Sequence, residues 1–370
     1  MGERVGSFDP IIFFIPIILL QVGIVMVYSS STIIASENFN DPYFFLKKEI
    51  LWAILGIFSM LFFMNFDYHL LRKFIYPLLI VSIVLLVLVL IPHFGREVGG
   101  AKRWLNLGYF SFQPSELAKL VLIIYMSYSL VKKKDYLDSF SMGYLPNLLI
   151  LGIFFVLIMF QPDLGTAVLI AAVVFFLFII AGIRYSYLFY SFLMILPFLY
   201  VTVSTVSYRK RRILAFLDPW GDPLDSGFQI VQSFLALGRG GFFGLGLGQS
   251  RQKLFYLPEP HTDFIFAVIG EELGFIGALA IIVLFLILFW RGILVAKRCP
   301  DFFGRYLAFG IIMMIGLQVI INIGVVIGLL PTKGLPLPFI SLGGSSLLIN
   351  SIGIGILLNI SKEVNKSLRF

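Results

Sequence analysis

The chain has 370 residues, of which 59% are hydrophobic and only 13% charged, with 40 phenylalanines and a formal net charge of +8. A mean hydropathy of +0.98 excludes a soluble globule, because so much apolar surface must face lipid or other helices. The single cysteine, Cys299, excludes an intramolecular disulfide, and His69, His93 and His261 lie too far apart in sequence to suggest a zinc site.

Apolar runs of about 20 residues recur along almost the whole chain, the length that a hydrocarbon core of about 30 Å requires of a spanning helix. With no water to satisfy the backbone, these runs must be helical. The expected fold is therefore all-α: a single polytopic transmembrane domain, 1–370, with about ten helices. The opening MGERVGSFDP lacks a small-residue cleavage site after its first apolar run, so that run reads as a retained span. Gly6 stands where a myristoylation signal wants Ser or Thr. The predicted spans are 10–34, 49–65, 72–92, 114–131, 144–160, 164–182, 185–206, 263–291, 303–328 and 342–361. Pro162 and Gly165 in QPDLGTA (161–167) mark either a tight turn or a kinked helix. Between spans seven and eight lies a long loop, about 207–262, expected to pack onto the bundle as short helices and turns.

An even number of spans puts both termini on one side. Basic residues on the two sides nearly balance, but once the long loop is set aside the terminal side dominates, which favours cytoplasmic termini. The outer face keeps a surplus of cations. Lipid headgroups account for YRKRR (208–212) as well as any other partner, whereas Lys102, Arg103, Arg239, Arg251 and Lys253, spread over separate loops, fit phosphate recognition better. Nothing in the pattern asks for nucleic acid.

LPEPHTDFIFAVIGEELG (257–274) crowds Glu259, His261, Asp263, Glu271 and Glu272 into one short stretch. By residue type alone, Asp263 reads as the N-terminal cap of span eight. On a continuous helix Glu271 would lie about 12 Å beyond it, deep in the bilayer. Such acids commonly pair with a buried cation, so Glu271 and Glu272 are expected to form a structural polar network, with Lys119 as one candidate partner. Lys119 follows Glu116 by three residues in span four, and is open between a buried ion pair and a pyrophosphate contact. GRGGFFGLGLGQS (238–250) looks like a nucleotide loop but follows no strand, so its glycines read as tight turns and close helix approach. LPTKGLPLPFISLGG (330–344) lacks helical character and reads as an ordered outer loop or re-entrant turn over a cavity.

Four stretches, KRWLNLGYFSFQPSELAK (102–119), QPDLGTA (161–167), LPEPHTDFIFAVIGEELG and KGLPLPFISLGGSS (333–346), together resemble the SEDS family, whose members include FtsW, RodA and SpoVE. The TKGLPLPF and PEPHTDFIF forms lean towards the FtsW division branch, with RodA the nearer alternative. One departure is Leu342, where many relatives carry Tyr. The resemblance implies a ten-helix bundle in the bacterial cytoplasmic membrane that polymerises lipid II into glycan strands on the outer face. It also implies a class B penicillin-binding protein transpeptidase and other divisome membrane proteins as partners, and an essential Asp263.

That reaction joins a sugar 4-hydroxyl to a second sugar's anomeric carbon with inversion, expelling a lipid pyrophosphate. It needs one general base and cations near the leaving group, not the paired carboxylates of glycoside hydrolysis. On this reading Asp263 is the base, Lys102, Arg103, Lys119, Arg239, Lys253 and His261 are candidate substrate-binding residues, and Glu116, Glu271 and Glu272 are structural. His261 reads equally well as a packed ring. No dedicated metal cage is visible, and a divalent cation, Mg²⁺ or Mn²⁺, bridging Asp263 and the pyrophosphate stays open as a cofactor. Two other functions compete: a lipid II flippase and a non-catalytic divisome scaffold.

Overall fold

The computed structural model describes residues 7–92, 94–98, 101–108, 110–204, 207–252, 257–258 and 260–367. A helix occupies each of the ten predicted spans: α1 (Pro10–Phe39), α2 (Phe44–Asn65), α3 (Leu71–Leu90), α4 (Pro114–Lys132), α5 (Leu145–Phe160), α6 (Leu164–Ala181), α7 (Tyr185–Ser204), α10 (Ile265–Arg298), α11 (Phe302–Val326) and α12 (Gly344–Ser367). Two shorter helices, α8 (Ser207–Leu217) and α9 (Phe228–Gly240), lie in the long loop. Eight of the described helices are long and apolar enough to cross a membrane. The chain is a polytopic helical membrane protein.

The helix ends follow local chemistry. Asp9 caps α1, accepting from the amides of Ile11 (3.0 Å) and Ile12 (3.4 Å), with Pro10 in the first turn where its missing N–H costs nothing. Asp301 caps α11 through Gly304 N–H (3.0 Å) and also receives the Arg72 guanidinium (2.5 Å). At the same end of the bundle Arg291 pairs with Asp9, and Asn365 donates to the Ser7 carbonyl (2.7 Å). Both described termini therefore lie together. Inside, α4, α11 and α12 are mostly buried, while α10 turns Leu286 and Trp290 outward.

The bundle carries one element that span-by-span reading missed. Between α3 and α4, strands β1 (Gly95–Val98), β2 (Ala101–Leu107) and β3 (Phe110–Phe112) form an antiparallel sheet in the order β1-β2-β3. Lys102 and Arg103 thus stand on a strand held by cross-strand bonds, Lys102 opposite Glu97, and not on an irregular loop.

The helix α10 is broken at Gly274, whose φ of 69° and ψ of −168° lie in a region that essentially only glycine enters. The groups freed by the break are taken by residues 241–246. Phe275 N–H reaches Gly241 O (2.9 Å), Ile276 N–H reaches Phe242 O (3.2 Å), and the carbonyls of Glu271 and Glu272 accept from Leu245 and Gly246 (3.0 Å each). A Cβ at Gly274 would sit 2.3 Å from Gly244 N, and one at Gly240 1.9 Å from Gly270 O. The glycines of GRGGFFGLGLGQS let two backbones touch.

The break also sets the surroundings of the acidic pair. From Phe275 to Arg298 the unbroken helix runs about 36 Å, enough to span a hydrocarbon core by itself, and Glu271 and Glu272 lie across the break from it. They hold the glycine-rich loop. Glu271 accepts from the Ser250 hydroxyl and from the amides of Arg251 (3.2 Å) and Gln252 (3.4 Å). Glu272 accepts from Ser29 of α1 (2.7 Å) and the Ser250 amide (3.4 Å).

Candidate functional site

At the bundle end opposite the termini, the four stretches singled out in the sequence converge. The centre is the turn 260–264 before α10, three of whose carbonyls are held from outside. His261 O accepts from Leu342 N–H (3.0 Å), Thr262 O from the Ser341 hydroxyl (2.6 Å), and Asp263 O from Asn322 Nδ2 (2.9 Å). The segment 331–341 contains no helix or strand, and Pro331, Pro336 and Pro338 explain why. It is nonetheless fixed, with Leu335, Leu337, Phe339 and Ile340 buried. Its backbone lies so close to α1 that a Cβ at Gly23 would be 2.6 Å from Phe339 O.

The α11 helix supplies the anchors. Asn322 donates to Leu335 O (2.7 Å) as well as to Asp263 O. One turn earlier, Gln318 donates to Pro336 O (2.9 Å) and to the Ser346 hydroxyl (3.1 Å), and accepts from Lys119 Nζ (3.3 Å). Lys119 and Glu116 form an ion pair at 2.7 Å with side chains 1% and 2% exposed. This is the ion-pair alternative of the two open for Lys119, with Glu116 as its partner rather than Glu271 or Glu272.

The remaining stretches close the ring. Asp163 caps α6, accepting from Thr166 N–H (3.1 Å) and Thr166 Oγ1 (2.8 Å), so QPDLGTA is a turn between two helices and not a kink within one. Leu335 packs beside Gly165. Arg103 reaches from β2 to donate to the carbonyls of Gln161 (3.1 Å) and Pro162 (2.5 Å), and Gln113 N–H donates to Ser345 at the start of α12 (3.0 Å). In this conformation Arg103 ties the sheet to the α5–α6 turn. Arg212 likewise holds the Thr332 carbonyl (3.0 Å), so YRKRR does more than face headgroups.

Asp263 does not cap α10. The cap position is Phe264, with no side-chain hydrogen bond, which overturns the cap reading. Its half-buried carboxyl lies beside the exposed backbone of Gly334: a Cβ there would be 3.0 Å from Oδ2. The residue before Gly334 is Lys333, a cation that the sequence pattern did not single out. Burial pushes its ammonium below the usual lysine range, with the Asp163 carboxylate pulling the other way. The lone cation of an apolar, proline-rich stretch was the signal that could have found it.

Of the other expected binding residues, His261 is buried with its ring 4.8 Å from Phe45, the packed alternative. Arg239 is exposed in the last turn of α9, beside the level of Gly270, and is not gathered around Asp263. Lys253, like Glu259, lies outside the described residues. Among the described residues no three His, Cys, Asp or Glu side chains come together to hold a metal ion.

A helical bundle long and apolar enough to span a membrane, with Asp263, Lys333 and the four sequence stretches gathered at one end, defines a polytopic membrane protein with a candidate site at that end. The family described as "Cell cycle protein", FtsW/RodA/SpoVE, matches residues 10–366, and the chain belongs to that family. The "Probable peptidoglycan glycosyltransferase FtsW" of Geobacter sp. (strain M18) is 50% identical over 98% of this chain and 99% of its own. The "Stage V sporulation protein E" of Bacillus subtilis (strain 168) is 47% identical over the same shares. Among solved structures, one chain of a peptidoglycan synthase complex, described as coordinating polymerization and crosslinking, superimposes with a TM-score of 0.79 at 31% identity, covering 97% of this chain and 98% of that one. The rod shape determining protein RodA of Thermus thermophilus gives 0.68 at 28% identity, covering 96% and 97%.

Proposed function

We propose that the chain is an inverting peptidoglycan glycosyltransferase of the FtsW type, polymerising lipid II at the outer face of the bacterial cytoplasmic membrane during division. A RodA-like elongation role is the alternative within the family. The observation that carries this reading is the position of Asp263: a half-buried carboxyl, not spent on capping its helix, beside the exposed Gly334, whose chain neighbour is Lys333.

In the step itself, the acceptor sugar's 4-hydroxyl gives its proton to Asp263 as its oxygen attacks the donor's anomeric carbon. The new C–O bond forms as the bond to the pyrophosphate oxygen breaks. Lys333 is the cation placed to meet the charge that develops on that leaving group, and Lys102 is a second candidate on the sheet.

The likeness to a chain of a peptidoglycan synthase complex supports a partnership with a transpeptidase of the class B penicillin-binding type, within the divisome. The excess of basic residues on the terminal side supports cytoplasmic termini. The test is purified protein in detergent with lipid II alone. Polymerised glycan there is the expected product, and a transporter or scaffold makes none. Intact lipid II after prolonged incubation, with and without a candidate transpeptidase, would contradict the reading.

A further inference from the structure

We propose that Asn322 is a positioning residue for this reaction, its one amide nitrogen setting the Asp263 turn and the Lys333–Gly334 segment in register. The proposal rests on the reading of Asp263 as the base.

Asn322 is 2% exposed, and both hydrogens of its Nδ2 are used, on Asp263 O at 2.9 Å and Leu335 O at 2.7 Å. These carbonyls come from segments that approach the site from different helices. One precedes α10, and the other lies between α11 and α12. The His261 and Thr262 carbonyls are held by the 331–343 segment, which Gln318 also fastens to α11 at Pro336. Asn322 is the side chain that ties the Asp263 carbonyl itself to α11, and it does so with the same nitrogen that holds Leu335 beside Gly334. Its Oδ1 meets no donor among the described residues, so the side chain is buried for its two N–H groups. A leucine there would pack without an orphaned acceptor but would leave two inward carbonyls unmet. The consequence reaches the chemistry by a short path. Leu335 is two residues from Lys333 and one from Gly334, which sits against the Asp263 carboxyl. A base misplaced by about 1 Å costs about a hundredfold in rate.

The experiment compares Asn322→Ala and the isosteric Asn322→Asp, which lacks the N–H groups, with the unmodified full chain. Lipid II binding stoichiometry is measured first, and single-turnover rate is then expressed per binding-competent molecule. Both variants should keep stoichiometry and bind lipid II within about threefold, yet polymerise about 10- to 100-fold more slowly. Added to Asp263→Asn, Asn322→Ala should cost less than about threefold more, because a base already removed cannot be misplaced. Should that residual rate be too small to measure, the same cycle is run with Gly334→Ala. If Asn322→Ala accumulates poorly, Asn322→Ser, with one donor left, should give an intermediate rate. Wild-type rates in Asn322→Ala, losses that multiply in the double variant, or losses explained by fewer binding-competent molecules would overturn the proposal. Full activity in Asp263→Asn would instead sink the reading on which it rests.

Discussion

Replacing Gly334 with alanine adds a methyl group 3.0 Å from Asp263 Oδ2, where ordinary contact begins near 3.4 Å. The Gly334 backbone is exposed, so the substitution opens no cavity, and its effect on folding should stay within about 0.5 kcal/mol. The segment is pinned through Leu335 and Pro336, so the carboxyl is the part that yields, by roughly 0.4 Å. If 1 Å of misplacement costs about a hundredfold, this shift costs about sixfold in rate, or about 1 kcal/mol of barrier. Single-turnover polymerisation of lipid II, with a melting curve alongside, reads both quantities, and Gly334→Val should lose more. An alanine variant as fast as the unmodified protein would show that the carboxyl beside Gly334 takes no part in the slow step. A rate loss that merely followed a lowered melting temperature would equally refute the reasoning.

Other substitutions test the frame around the site. Glu116→Gln, which strands the Lys119 charge in a nearly dry interior, should lower unfolding stability by about 3–5 kcal/mol, and Glu116→Leu combined with Lys119→Met should recover much of it in thermal unfolding. Gly274→Ala should cost at least about 1–3 kcal/mol in backbone strain and release the 241–252 loop, read as faster cleavage there in limited proteolysis. Lys333→Ala should reduce kcat/KM for lipid II by about 10- to 150-fold, the loss of one charge-assisted hydrogen bond, while Lys333→Arg keeps part of the activity.

The helices were legible because lipid dictates them: an apolar run of spanning length has one structural outcome, and each predicted span became a helix. The sheet at 95–112 was hidden, since its strands are short and give no sustained alternation. The break in α10 was hidden too. EELGFIG reads as an uninterrupted helical run, and the partner that stabilises the break lies in the 241–246 backbone, with no side-chain pattern to announce it. Reading that helix as continuous also hid the loop amides that Glu271 holds. At the site, Asp263 was visible in the HTDF stretch, and Glu116 with Lys119 through helical spacing. Asn322 and Gln318 were not, because an amide in an apolar helix reveals its partners only when the carbonyls it holds are known.

The central claim is that the Asp263 carboxyl takes the acceptor's proton, and Asp263→Asn tests it most directly because it preserves size while removing the basic oxygen. Measured as polymer formed from lipid II by protein confirmed to be folded and to bind substrate, the account predicts a fall of about 10²- to 10⁴-fold, the range of general-base catalysis. Strand synthesis at an undiminished rate in that variant would contradict it.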